Sequence, residues 1–568
     1  MKKLLLLVLS GSFLCACLAI ADDQAQEKRN QEVTQYWQKF QSSTKEVMDQ
    51  QLQSWLSPTK DSKISADQVV QSKFLQLNKE TQKLERLYDL GLKKTKEREK
   101  KFPDIKVGEQ TKAVEDEKNK AESIVDNLKA VGKDGYVDTL VEMAESHLTQ
   151  ASLDDFADTK GVNIPWSDDY WAIYRGILGA RYASPDFSQR FKTWTFYRDN
   201  VENYSAFSIL NGGKPGTGIT ELSTDQLSPS EKYDLITNTI TEHSNAGALT
   251  KQMWLETAGS VGDNGQVETW MGICHGWSPA AYMVARPLKA VDVEVGHGKT
   301  LTFFPADIKA LASLLYARSD FPTKFVGRRC NLKDSDLQKF KDANGRIRGH
   351  NECFDIYPST WHKTVVNQIA LAKRSFVMDA TFDYEVWNQP VVAYSYSYFN
   401  PMTGDSFAAN NKDALKEGKA KVSYKTFMSK DKFKDARLED TRSKAIDSVV
   451  GVAMDVTYVV EVQPTHQTED SVSFDGRRTV RYVYDLELDA KGKIIGGEWY
   501  TNTHPDFLWT PELGTEIRTA EGNLTWDGHS PLNATWTTKA TAEARFSNNA
   551  RPLFNIVDAL VKRSRGEL

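Results

Sequence analysis

The chain has 568 residues, of which 40% are hydrophobic, 11% aromatic and 26% charged, with a formal net charge of −5. That length exceeds one compact domain of ~150 residues and asks for several packed units. The apolar content is that of a globular protein, and the mildly acidic balance excludes a whole-protein basic field for nucleic acid.

The amino end reads as a signal peptide over residues 1–21. Lys2 and Lys3 form the charged start, residues 4–14 the apolar run, and Ala19, Ile20 and Ala21 a small-residue cleavage site before Asp22. The run is shorter than the ~20 apolar residues that cross a bilayer. An alternative is a lipobox at Leu14-Cys15-Ala16-Cys17, with Cys17 lipidated and the protein tethered to the outer membrane. Either way the protein is expected to be exported: periplasmic, secreted or lipid-anchored.

Residues 22–154 are rich in Lys, Glu and Gln. Apolar Val69, Phe74, Leu75, Leu84, Leu87 and Leu90 recur at three- and four-residue steps, with breaks at Pro58 and Pro103. This predicts a charged helical region, either a spacer, a dimerising coiled coil or a propeptide covering the active site. Aromatic residues become dense from 155, and residues 155–400 are expected to hold the catalytic core. NGGKPGTG at 211–218 lacks the GK[ST] ending of a phosphate loop and reads as a plain loop. Residues 401–568 are expected to be mainly β and to complete the core. The segment 449–462 alternates, and RTVRYVYDLEL, DAKGK and IIGGEWY read as a hairpin. RPLFNIVDALVKR closes the chain as an amphipathic helix expected to pack on that sheet.

Five cysteines occur: Cys15, Cys17, Cys274, Cys330 and Cys353. Cleavage after Ala21 leaves three, and oxidising surroundings favour pairing two of them. A Cys330–Cys353 disulfide would contribute ~3 kcal/mol through loop closure. It leaves Cys274 free in GICHGWSPAAYM, where glycines precede a helical composition. The start of a helix favours a thiolate and supplies N–H donors for an oxyanion. A small buried hydrophobe is the alternative role for such a cysteine.

A cysteine nucleophile needs a base, and the base an orienting partner. His275 adjoins Cys274 but faces another direction. His362 opens WHKTVVNQIALAKRSFVMDATFD, read as strand, turn and strand, which would put His362 and Asp379 on one face. The expected triad is Cys274, His362 and Asp379, with Asp383 as the alternative carboxylate and His504 as the alternative base. Trp270, Trp277 and Trp361 flank the two segments in sequence, as water-excluding rings or as core.

WMGICHGWSPAA, FVMDATFD, VWNQPV (386–391) and IIGGEWYTNTHPDFLW (494–509) resemble the transglutaminase elicitor family over residues 155–510. VWNQPV is similar to the core of the surface segment by which plants recognise the oomycete members. The resemblance implies an α+β fold with a thiol-protease/transglutaminase-like core. A helix bearing Cys274 would lie there on an antiparallel sheet bearing His362 and Asp379; the helical N-terminal region that precedes this core is read from its periodicity and is not covered by the resemblance. It implies a protein-glutamine γ-glutamyltransferase that joins glutamine to lysine or another primary amine through a cysteine thioester. Calcium is associated with the family's oomycete members, yet DANGRIRGHNE lacks the oxygen spacing of an EF-hand. No cofactor is required and no metal ligand is read from the residues. The alternatives are a secreted cysteine peptidase or glutamine deamidase with the same triad, and a non-catalytic envelope binding module.

Overall fold

A computed structural model describes residues 136–568 apart from 184–192, 204, 213–222, 263, 297, 328–355, 382–383, 402–405, 417–420, 428–441, 444, 501–503, 516, 518–523 and 546–550. The expected signal peptide with Cys17, the helical region before residue 136, most of NGGKPGTG, the Cys330–Cys353 pair and Asp383 lie outside the described residues.

Three long strands form the centre: β6 (Asn388–Phe399), β9 (Ser448–Val460) and β10 (Gly476–Leu488). They pair antiparallel, as do β4 (Thr323–Gly327), β5 (Val377–Asp379), β11 (Ile494–Gly496) and β12 (Phe507–Pro511), in the order β11-β10-β9-β6-β5-β12-β4. Short β1 (Gln150–Ser152) and β7 (Ser406–Ala408) pair with β6, and β8 (Val422–Ser423) with β9. Among the described residues these make a ten-stranded sheet, beside a separate hairpin of β2 (Val291–Glu294) and β3 (Thr300–Phe303). The hairpin read at 478–500 is present as β10 and β11, with Glu487 opposite Gly496.

Alternation along the strands divides the interior in two. Val450, Val452, Met454, Val456 and Tyr458 of β9 join Tyr394, Tyr396 and Tyr398 of β6 in one core, while Val459 and Val392 of the same strands belong to the other. Successive side chains point to opposite faces, so the two cores lie on opposite sides of the sheet. Pro390 stands where it costs no ladder bond: it pairs with Val377 of β5, and pairing with β9 begins only at Val391.

The first core is mainly helical. It is built around α1 (Cys274–Met283), α2 (Pro305–Arg318), α4 (Ala534–Arg545) and α5 (Arg551–Ser564). The carboxy-terminal segment is thus helical as read. Its apolar stripe of Leu553, Ile556, Val557, Leu560 and Val561 enters this core against α2 and β2, and not the large sheet.

The second core is covered by α3 (Pro358–Val366), which continues through a π-turn at Asn367–Leu371. This corrects the strand–turn–strand expectation for 361–379, of which only Val377–Asp379 is extended. Pro358 occupies the first helical position, where a missing N–H costs nothing. Trp361, Val365, Val366 and Ile369 then fall on one helical face, fully buried. Adjacent β-branched Val365 and Val366 favour a strand locally, and burial of that face outweighs them. Val137, Leu140, Met143, Leu148 and Leu153 also enter this core.

Candidate active site around Cys274

Two glycines fix where the cysteine helix lies. A Cβ on Gly272 would stand 2.4 Å from the Tyr170 carbonyl oxygen, and one on Gly276 only 2.2 Å from the Ser313 carbonyl oxygen. Only a bare backbone lets α1 approach α2 and the 166–172 segment this closely. Backbone bonds from Ile273 N to Tyr170 O (2.8 Å) and from Ile173 N to Met271 O (2.9 Å) hold the entry to the helix. Cys274 is the first helical residue after Ile273, and it is a free, buried cysteine with 6% exposure.

The 384–388 segment crosses this helix start. The Cys274 thiol donates to the Val386 carbonyl at 3.7 Å, and Asn388 Nδ2 donates to the sulfur at 3.5 Å. Trp509 Nε1 donates to Asn388 Oδ1 at 2.8 Å. An indole N–H can only donate, so it claims the carbonyl end of the amide and leaves the NH₂ end for the sulfur.

Asp379 pairs with Asn388 across β5 and β6 and is fully buried. Its Oδ1 accepts from Trp387 N at 2.9 Å and from the Thr381 hydroxyl at 3.2 Å. Beyond the end of β9, Glu461 is buried at 4% exposure and accepts from Gln389 Nε2 at 2.7 Å. Burial pushes its carboxyl up to about 8, with Asp169 adding to the rise and Gln389 opposing it. Burial likewise pushes the Cys274 thiol up to about 11; the Asn388 side chain and backbone oppose this, while the charges of Glu461 and Asp379 reinforce it.

The expected base is elsewhere. His362 is fully buried on α3, with its ring against Tyr396 and Tyr484 and Nδ1 2.8 Å from the Tyr484 hydroxyl. These tyrosines belong to the second core, so His362 lies across the sheet from Cys274. The hairpin that was to put His362 beside Asp379 is absent, and the expected triad is not assembled. Burial lowers the imidazole to about 3, with Lys363 contributing. His504 stacks on Trp499 at 4.9 Å, on the His362 side through Tyr484, and burial lowers it to about 4. His275 is exposed.

The tryptophans divide as well. Trp277 and Trp361 are core residues at 0% exposure, in different cores, whereas half-buried Trp270 meets Tyr384 edge-on at 5.6 Å beside the thiol segment. VWNQPV is no surface segment here: Trp387, Asn388 and Gln389 are 3–4% exposed. Asn388 went unread as a site residue, although it lies inside that motif. Among the described residues there is no group of three or more His, Cys, Asp or Glu side chains placed to hold a metal ion.

A family model described as transglutaminase elicitor matches residues 134–417 and 421–522, more than half of the chain. No curated protein matches. Among solved structures, the crystal structure of the GP42 transglutaminase from Phytophthora sojae aligns with 20% identity, covering 72% of this chain and 97% of that one at a TM-score of 0.38. At that score the likeness carries no weight for the site, and the family assignment rests on the sequence match.

Proposed function

The chain belongs to the transglutaminase elicitor family, and from that premise we propose that it is a protein-glutamine γ-glutamyltransferase acting through Cys274. The observation that carries this reading is the thiol itself. It is a free cysteine at the first position of a ten-residue helix, with a side-chain amide donor 3.5 Å from its sulfur.

The sulfur attacks the γ-carboxamide carbon of a protein-bound glutamine. The backbone N–H groups of Cys274 and His275 at the helix start and the Asn388 amide are the donors for the oxyanion, each typically worth ~3 kcal/mol in such a site, while Gly276 N and Trp277 N are taken up by the Ile273 carbonyl. Ammonia leaves, a thioester remains, and a lysine or other primary amine displaces the sulfur to form an amide. Half-buried Trp270, four residues before Cys274, and Tyr384, two residues before Val386, meet edge-on and would limit the access of water to the thioester. The leader expected at residues 1–21 places the substrates outside the cytoplasm.

One observation favours a second reading, a non-catalytic binding module: the thiol is buried and held strongly protonated. The test is incorporation of a fluorescent primary amine into a glutamine-rich protein by wild type and Cys274→Ala. Incorporation by the wild type alone supports γ-glutamyl transfer. Cys274-dependent ammonia or peptide release without incorporation indicates a deamidase or peptidase. Inactivity together with a thiol inert to iodoacetamide favours the binding module.

A further inference from the structure

An apolar strip runs from the thiol to the outer edge of the sheet. Its inner end is Val386, whose carbonyl accepts from the Cys274 thiol. Half-buried Val386, Met283 and Phe321 pack against a cluster that includes Phe507 and Trp509 of β12. On β4, Phe325 stands opposite Trp509 in the register and stacks on Phe507, with ring centres 4.9 Å apart. All three rings therefore project from one face of the sheet. On that face Trp509 holds Asn388, and Asn388 reaches the sulfur. Among the described residues β4 pairs only with β12, and Phe325 is 46% exposed.

One margin of the strip carries a cation. Arg374 donates through Nη2 to the Pro511 carbonyl at 2.9 Å and to Met283 Sδ at 3.0 Å. No carboxylate pairs with it among the described residues, whereas Lys324 of β4 is paired with Glu512 at 3.3 Å.

We propose that this strip binds the segment of the donor protein that carries the reactive glutamine, with Phe325 as the anchor for one of its apolar side chains. This rests on the γ-glutamyltransfer reading and gives it a substrate class. A single exposed phenylalanine is ordinary, but this one is continuous with half-buried apolar side chains that end at a reactive sulfur. The occupant follows from where the strip ends. Whatever lies along it meets Cys274, and for γ-glutamyl transfer the group that meets Cys274 is the glutamine side chain. Spacing follows from the sheet. With strands ~4.8 Å apart, Phe325 on β4 and Asn388 on β6 are separated by about 15 Å across β12 and β5. About four or five residues of extended chain span that distance. The donor segment is thus extended, with an apolar or aromatic residue at that spacing from the glutamine and a carboxylate beside it for Arg374. Such a remote contact raises kcat/KM only for segments that make it.

The test measures kcat/KM for amine incorporation into paired glutamine peptides by full-length wild type, Phe325→Ala and Phe325→Leu. The pairs are alike except that one residue, about four or five positions to either side of the glutamine, is Phe in one and Ser in the other. Wild type should favour at least one Phe peptide over its Ser twin by about tenfold, as expected for burial of one aromatic side chain. Phe325→Ala should lose that preference, and Phe325→Leu should keep part of it. Alkylation of Cys274 by iodoacetamide should proceed at the wild-type rate in both variants. A Glu beside the favoured Phe should raise kcat/KM further and a Lys there should lower it; the reverse order overturns the part given to Arg374. A wild type active on both peptides without preference overturns the subsite alone, as does a preference that survives in Phe325→Ala. Equal loss on both peptides together with altered alkylation also overturns it, as a packing defect. A wild type that neither incorporates amine into nor releases ammonia from any peptide or a glutamine-rich protein overturns the γ-glutamyltransfer reading and this subsite together.

Discussion

Trp509 governs Cys274 without touching it. Its indole N–H holds Asn388 Oδ1 at 2.8 Å, which turns the amide's other end to the sulfur at 3.5 Å. A residue of β12 thereby sets the polarity of the group beside a helix start more than two hundred positions earlier. In a thiol pushed up by burial, this donor is the leading influence in the opposite direction.

Asn388→Ala should therefore raise the thiol's ionisation midpoint. A hydrogen bond with a net worth of ~1 kcal/mol corresponds to roughly 0.7 of a pH unit. Alkylation by iodoacetamide near pH 8 should slow about fivefold, with the rate recovered at higher pH. An unchanged midpoint would remove Asn388 from the site.

His362→Phe separates the observed placement of this histidine from the expected triad. The ring is packed between Tyr396 and Tyr484 in the second core, and phenylalanine fills the same space. The variant leaves the Tyr484 hydroxyl without its imidazole partner, a loss of ~1–2 kcal/mol in urea unfolding. Cys274 alkylation should match the wild type at every pH. A shift in the alkylation profile would show that His362 acts on the thiol after all.

What the sequence made legible was local. The start of α1 at Cys274 follows from glycines before a helix-forming run, and the β10–β11 hairpin follows from alternation broken by a glycine turn. The α3 error arose because two β-branched valines and a polar start resemble a strand, while the helical spacing of Trp361, Val365, Val366 and Ile369 had equal standing. Partners across the sheet were not legible. Asn388 reaches Cys274, and Gln389 reaches Glu461, over separations of 114 and 72 residues. Those separations are set by sheet register, which one sequence does not specify. Within the VWNQPV motif it is Asn388 that lies against the thiol.

Gly276→Ala tests how the cysteine helix is seated. The added methyl would stand 2.2 Å from the Ser313 carbonyl oxygen and 2.6 Å from the Ala317 Cβ, and the first of these is backbone that cannot swing aside. Overpacking of this kind costs ~1–3 kcal/mol, visible as a lower urea midpoint. Because α1 must shift away from α2, Cys274 should also become more reactive to iodoacetamide as its burial loosens. A variant of wild-type stability would mean that the two helices are not in this close contact.

Glu461 and His362 load the stability profile from opposite ends. Glu461 carries a folded-state pKa of about 8, above the ordinary 4.5, so the native state holds its proton more tightly. The stability it contributes is complete below about pH 4.5 and is lost as pH rises towards 8. His362 is depressed to about 3 from the ordinary 6.5, so its contribution is present above 6.5 and lost as pH falls towards 3. Between 4.5 and 6.5 the two slopes oppose each other; from 6.5 to 8 Glu461 is the one of this pair that acts, at ~1.4 kcal/mol per pH unit, joined up to about pH 7 by buried Asp168. Glu461→Gln should therefore lack about 2 kcal/mol of the wild type's decline between pH 6.5 and 8. His362→Phe should instead flatten the acid limb and keep the alkaline decline. Urea midpoints for the three proteins from pH 4 to 9 measure both, and an alkaline decline of the same size in Glu461→Gln would mean that this carboxyl is ionised in the native protein throughout.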